Sequence, residues 1–481
     1  MRPVLLALAL LVAGASNAFA QSAYDPKPWL DDLAQMKHAF STGYANFEWA
    51  VFDHEVDLSA LFADTQERIE SANSDADARA AFDRLIRRLG DGHTELHWPA
   101  HKAAAANANT RPLPCAGFDP ARAARPLAAY ANGYVPIETP QSGAFPIGII
   151  TSGHTRVGVI KIKLFHPSFR PAYCTAALAA LAIPPDKPCD DACSDKIDDW
   201  TQARLNEDFI TQVKALEEAK IDTLLVDVAD NGGGSEWADA AARMLTTIRL
   251  VSPRYGFVRG PHWVKKWTDL ANNLRKAIES AAPKDREMLF GYAEEAAAKV
   301  YTAAKPCDSS PLWEKKLPAC SWLGEGLYQT GFLASADPET LRGKPWAPLV
   351  FIPMEYQYTE GLWRGPLIVL VDGGAGSSSE RFAYELQSNH AALIMGEPTA
   401  GAVGGHTDGG TSTTLTHSGA VLVLPDVCDL PEGGRYATGG VVPDLLVGFH
   451  KGDGPHLRAE AFLAKLPEAL GKVKYLLKSK S

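Results

Sequence analysis

The sequence has no excess of positive charge, no internal repeat or low-complexity segment, and little cysteine. Its 47 Lys+Arg residues face 57 Asp+Glu residues, for a net charge of −10, which argues against nucleic acid or an anionic membrane surface as the main partner. Beyond the N-terminus no stretch of about 18 apolar residues occurs, so no stable membrane span is expected. The seven cysteines lack the matching Cys or His pairs of a zinc site, which leaves zinc as the minor alternative to disulfides.

What is present is ordinary for a globular protein: 46% apolar and 22% charged residues over 481 positions, enough for two or three domains and a sizeable core. The opening MRPVLLALALLVAGASNAFAQS has one arginine, an apolar run from Val4 to Ala13 and Ala18-Phe19-Ala20 before Gln21. This pattern predicts a secretory signal peptide over residues 1–20, hence a periplasmic or secreted protein. The run is short for a membrane anchor, and no cysteine follows the cleavage site to carry a lipid. All seven cysteines lie in the mature part, where they can oxidise. Cys189 with Cys193 and Cys307 with Cys320 are the expected local pairs, and the odd count leaves at least one thiol unpaired.

Helical periodicity marks an N-terminal region, 21–100, ending in the turn LGDGHT. An Ala-, Pro- and Gly-rich linker or insertion fills 101–156, with strands resuming near GAFPIGIITSG. Two β-α units follow, each a buried apolar strand, a glycine turn and a helix: DTLLVDVAD-NGGG-SEWADAAARM, and PLIVLVD-GGAGSS-SERFAYELQSN. They predict an α/β core in two pieces, 157–254 and 346–450, interrupted at 255–345 by an amphipathic helical insertion read as a lid or cap, and followed by a C-terminal helix within 451–481.

Three segments could carry chemistry. In GGAGSSSE, Ser377 and Glu380 fit a capping box, which explains the stretch without catalysis; the same strand-to-helix turn can also present Ser377 as a nucleophile beside a helix dipole. NGGG at 231–234 is either a tight turn or a close approach of backbone to ligand. With both units side by side, their strand ends share the sheet edge where α/β proteins bind ligands, and a glycine N–H with that of Ser378 could form an oxyanion hole. In LGDGHTELHW, His93 is either a solvated loop residue or a general base.

The set LGDGHT, VDVADNGGG, VLVDGGAGSSSE, IMGEPTAGAVGG and GGVVPDLLV, in this order, resembles the S41 peptidase family, over about 90–100 and 157–450 with the insertion outside the pattern. The resemblance implies a crotonase-like (ClpP-like) α/β core and serine-peptidase chemistry on peptide or protein substrates without a metal or organic cofactor. It places the nucleophile on Ser377 and the oxyanion donors on Gly233, or its neighbour Gly234, and Ser378. The lysine of the processing-protease branch falls at Ala402, so a Ser-Lys dyad is not expected. The tricorn-like branch uses a histidine whose position matches His93, but its orienting glutamate falls at Ala437. Asp91, Glu432 and Asp408 are candidate substitutes, and His406 is a second candidate base. From Trp98 to Val157 there are only about 60 residues, short for a PDZ domain. A non-proteolytic module binding a hydrophobic small molecule or peptide is the alternative function, because the family includes such relatives.

Overall fold

Apolar strands that are buried along their whole length form the middle of the molecule, and the helices between them cover both of its faces. A computed structural model describes residues 24–99, 113–119, 125–402, 404–407, 411–430, 440–449 and 452–478. The predicted signal peptide, Asp408, Glu432 and Ala437 lie outside the described residues.

At the N-terminus, helices Lys27–Gly43, Leu58–Glu70 and Asp75–Leu89 bury Met36, Phe40, Phe62, Phe82 and Leu85 against one another. Ser74 caps the third helix by accepting the Asp77 N–H, and Gly90 ends it at φ +71°, a left-handed conformation that favours glycine. The turn after it leads into β1 (Glu95–His97).

The large sheet opens with β2 (Val135–Ile137), β3 (Ile147–Ser152), β4 (Thr155–Lys161) and β5 (Thr223–Asp227). After β5 the chain builds β6 (Arg254–Val258) and β7 (Leu323–Tyr328) elsewhere. It returns to the large sheet with β8 (Leu367–Val371) and β9 (Leu393–Gly396). The tail adds β10 (Thr411–Thr414), β11 (Val421–Leu424), β12 (Val427–Leu430) and β13 (Leu445–Leu446). The strand order is β13-β9-β8-β5-β4-β3-β2. Pairing is parallel from β4 through β13 and antiparallel at β2 and β3.

Alternation along the parallel strands separates two cores. Leu224, Val226, Val369, Val371 and Ile394 join Trp237 and Phe382 from helices Trp237–Met244 and Ser378–Ser388. Leu225, Ile368, Leu370, Leu393 and Met395 face Phe462, Leu466 and Leu470 of helix Pro455–Lys478. The fold is therefore α/β, with a mixed central sheet covered on both faces.

The sheet begins at Val135, ahead of the strands expected near GAFPIGIITSG and inside the segment 101–156 expected as a linker or insertion. The short β2 contains Pro136 and gives little alternating signal. The segment 255–345 is also more than helical. Helices Pro261–Ser280 and Pro283–Ala303 pack through Trp263, Trp267, Leu274 and Leu289, but β6 and β7 pair beside them, and β12 from the tail completes a three-stranded sheet. The glycines in RYGFV and LGEGLY mask these strands in the sequence.

A third small sheet, β1-β11-β10, pairs Glu95 with Val423 and His97 with Val421. It ties the LGDGHT turn to the tail of the core. Cys189–Cys193 and Cys307–Cys320 are disulfides, as expected from their spacing; Cys115–Cys174 is a third, and Cys428 is free and buried. Among the described residues no helix is long and apolar enough to cross a membrane.

Candidate active site

Strands β5 and β8 are parallel neighbours, with Asp227 opposite Leu370, so their C-terminal turns meet at one sheet edge. Asp372, buried just after β8, fastens both turns. Its Oδ1 accepts the N–H of Asp230 (2.7 Å) and of Gly374 (3.0 Å), and its Oδ2 takes Arg458 of the C-terminal helix.

Ser377 stands at the start of helix Ser378–Ser388 with φ +54° and ψ −123°. A non-glycine residue at such angles is strained, and it persists only where its surroundings over-determine it. Those surroundings are visible. The Glu380 carboxylate accepts the Ser377 N–H (3.0 Å), forming the predicted cap contact. The N–H of Gly376 donates to the Asn231 carbonyl (3.0 Å), and the Ser379 hydroxyl donates to the same oxygen (2.8 Å). The three serines thus have separate fates: Ser379 Oγ is spent on structure, while Ser377 and Ser378 line a cavity of about 640 Å³ with Gly234, Arg381, His406 and Trp263. Ser377 also lines a second, about 190 Å³, with Glu380, Arg381, Ala402 and Asp429.

The NGGG turn lies against this serine. A β-carbon on Gly233 would stand 2.7 Å from Ser377 Cβ and 2.9 Å from Ser378 N, closer than atoms pack, and the residue has φ +105°. The Gly233 N–H, however, donates to Asn231 Oδ1 (2.9 Å). Gly234 is the glycine that lines the cavity with Ser378, and none of the hydrogen bonds among the described residues uses its N–H. Asn231, fully buried, holds the turn by also donating from Nδ2 to the Ile162 carbonyl (2.9 Å).

Glu380 does more than cap. Oε1 accepts from Thr399 Oγ1 (2.6 Å) and the Gly401 N–H (2.7 Å), and Oε2 also accepts the Ala402 N–H (3.0 Å). Burial raises its pKa, and these bonds with that of Ser377 oppose the rise. The carboxylate therefore locks the loop 399–402 to the serine turn.

That loop meets the histidine turn. A β-carbon on Gly92 would lie 3.0 Å from the Ala402 methyl, and one on Gly376 would lie 4.0 Å from it. His93 is buried, with its N–H on Asp91 Oδ1 (2.8 Å). Asp91 also accepts from Tyr44 Oη (2.7 Å), Asn46 Nδ2 (3.1 Å) and Thr94 Oγ1 (3.2 Å). Burial and the Asp91 carboxylate push the Tyr44 phenol well above its ordinary range, so it stays a donor. These bonds bind Asp91 to the backbone and neighbours of His93; they set the turn. His406 Nε2 lies 2.7 Å from the His93 carbonyl, and the two rings meet edge to face at 5.3 Å. Since a carbonyl only accepts, this contact fixes the proton of His406 on Nε2.

The family model for Peptidase family S41 matches residues 196–447, just over half of the chain. The chain belongs to peptidase family S41. Mature CPAF has the same fold, with a TM-score of 0.56 at 14% identity over 93% of this chain and 98% of that one. Mature CPAF complexed with lactacystin gives 0.55 at 14% identity over 93% and 99%. The photosystem II D1 C-terminal processing protease aligns at 13% identity over 87% and 92%, with a TM-score of 0.35. At 14% identity the likeness to CPAF speaks for the fold alone. No curated protein matches the sequence.

In this S41 chain the position that the resemblance gives to lysine is filled by Ala402, whose methyl abuts the turn carrying His93. Four contributors escaped the sequence reading: Asn231, Asp372, Arg381 and the loop-locking role of Glu380. Asn231 opens NGGG and Asp372 ends an apolar strand, so position hinted at both. Arg381 gave no signal beyond one charge on a helix; its Nη2 donates to buried Asp239 Oδ2 (2.8 Å).

Proposed function

We propose that this S41 peptidase is exported and works as a serine hydrolase on polypeptides. Ser377 Oγ attacks a peptide carbonyl, His93 takes its proton and returns it to the leaving amine, and the N–H groups of Ser378 and Gly234 receive the oxyanion. Gly233, whose N–H is held by Asn231, supports Gly234 by keeping the turn pressed against the serine. Water then hydrolyses the acyl-enzyme with His93 again as base. The three disulfides favour an oxidising compartment.

The observation that carries this reading is the left-handed backbone of Ser377 at a strand-to-helix turn facing a cavity. A helix cap needs no such strain, whereas a nucleophile that must clear its own helix does. His406 enters as a brace: its Nε2–H is committed to the His93 carbonyl, which favours His93 as the base.

Labelling of the mature protein with a fluorophosphonate tests the assignment. Wild type should label, Ser377→Ala should not, and His93→Ala should label roughly a hundred- to ten-thousand-fold more slowly. No labelling in wild type, or equal labelling in all three, sinks the mechanism. Loss in His406→Ala with normal labelling in His93→Ala would reassign the base.

A further inference from the structure

Asp426 lies between β11 and β12, fully buried. Burying a carboxylate is costly unless its oxygens find donors, and three are supplied. Oδ1 accepts the Thr407 N–H (2.7 Å), and Oδ2 accepts the Thr407 hydroxyl and His262 Nε2 (2.8 Å). An ionised carboxylate only accepts, so His262 carries a proton on Nε2. Among the described residues His262 is the only basic side chain that pairs with Asp426.

The partners of this carboxylate belong to different parts of the molecule. His262 stands in the first turn of helix Pro261–Ser280, the insertion helix whose Trp263, Trp267 and Leu270 wall the Ser377 cavity. Trp263 adds a bond from Nε1 to the Asp426 carbonyl (3.1 Å). Thr407 directly follows His406, whose Nε2 donates to the His93 carbonyl. The backbone ties the same loop down: the Asp426 N–H donates to the Gly405 carbonyl (3.1 Å), and the Gly405 N–H donates to the Val427 carbonyl (3.0 Å). An unbroken path therefore runs from the insertion to His93 through Asp426, Thr407 and His406. Buried networks whose members are all satisfied are rigid, and a catalytic group misplaced by about 1 Å can lose about a hundredfold in rate.

We propose that His262 is a positioning residue for His93: through Asp426 and Thr407 it fixes the loop that holds the His93 carbonyl, which makes the helical insertion a working part of the site. The proposal rests on the peptidase reading for His93 as the base, so a readout without turnover accompanies the kinetic one. Fluorophosphonate labelling rates are measured for the mature protein with His262→Phe, which loses the donor, and with His262→Gln, which keeps one at similar reach. Both changes are made in the wild-type and His93→Ala backgrounds. In parallel, nitrogen-15 NMR follows the His93 ring, its signal identified by its loss in His93→Ala.

His262→Phe should label about tenfold or more slowly than wild type, and His262→Gln should recover most of the rate. In the His93→Ala background His262→Phe should change nothing further, because its effect passes through His93. A general loosening of the fold or of the Ser377 cavity would slow labelling in both backgrounds alike, and that result overturns the proposal. An unchanged rate in folded His262→Phe overturns it too, as does a His93 ring signal that His262→Phe leaves unmoved. If His262→Phe does not fold by circular dichroism, His262→Asn decides: its shorter reach must slow labelling with His93 present and not without it. Failure of the peptidase reading shows elsewhere, as a wild type that takes no fluorophosphonate, and the His93 ring signal then decides the coupling alone.

Discussion

Glu380 shows what a single side chain adds at this site. Its carboxylate holds the N–H of Ser377 on one side and three donors of the loop 399–402 on the other. In Glu380→Gln one oxygen becomes an NH2 group, which turns donor against donor. The fluorophosphonate labelling rate should fall about tenfold or more while the unfolding free energy drops by only about 1–3 kcal/mol; an unchanged rate with lost stability would make Glu380 purely structural. The spacing S-x-x-E made the contact with Ser377 readable, because capping boxes are local. Thr399, Gly401 and Ala402 were not readable as its partners, since only the parallel pairing of β8 with β9 brings them there. The same limit applied to His93. Its approach depends on β1 pairing with β11 across more than 300 residues, and in the sequence only the resemblance to S41 peptidases linked that histidine to Ser377.

At the scale of elements, the helix carrying the serine turn is held to helix Trp237–Met244 by two charge pairs. Arg243 meets Glu385 through two hydrogen bonds, at 2.8 and 3.0 Å, both side chains almost fully buried. Arg381 meets Asp239. Removing one partner of the first pair strands a buried charge, so Arg243→Met should destabilise by about 3–5 kcal/mol in urea unfolding; a neutral result would mean that Glu385 simply takes up a proton. The second pair adds a pH dependence. Burial raises Asp239 from 3.8 to about 7, against the pull of Arg381. A carboxyl raised in the folded state holds its proton longer than in the unfolded chain, so its contribution is full below about pH 4 and lost as pH rises towards about 7. Asp239→Asn should flatten the decline of stability across that window, measured by urea unfolding at several pH values. Both β-α units were legible because buried parallel strands are long apolar runs with glycine punctuation. The strands β2, β6 and β7 were not, because proline or glycine interrupts their alternation.

For the molecule as a whole, the large sheet has two faces and needs two covers. One cover holds the proposed chemistry; the other is helix Pro455–Lys478, which buries Phe462, Leu466 and Leu470. Phe462→Ala should cost about 3–5 kcal/mol, whereas Leu457→Ala, at an exposed position of the same helix, should stay within about 0.5 kcal/mol. Equal effects would show that the helix is held by something other than its apolar face.

That second cover also sets a timetable. Val157 and Val159 of β4 wait for Phe462 and Leu466, about 300 residues later in the chain. During synthesis that side of the sheet stays bare until residues 455–478 have emerged, since contacts this distant in sequence close late. The two faces of one sheet are therefore completed by segments far apart in the chain: the face with the serine and glycine turns by helices Trp237–Met244 and Ser378–Ser388, the other by helix Pro455–Lys478.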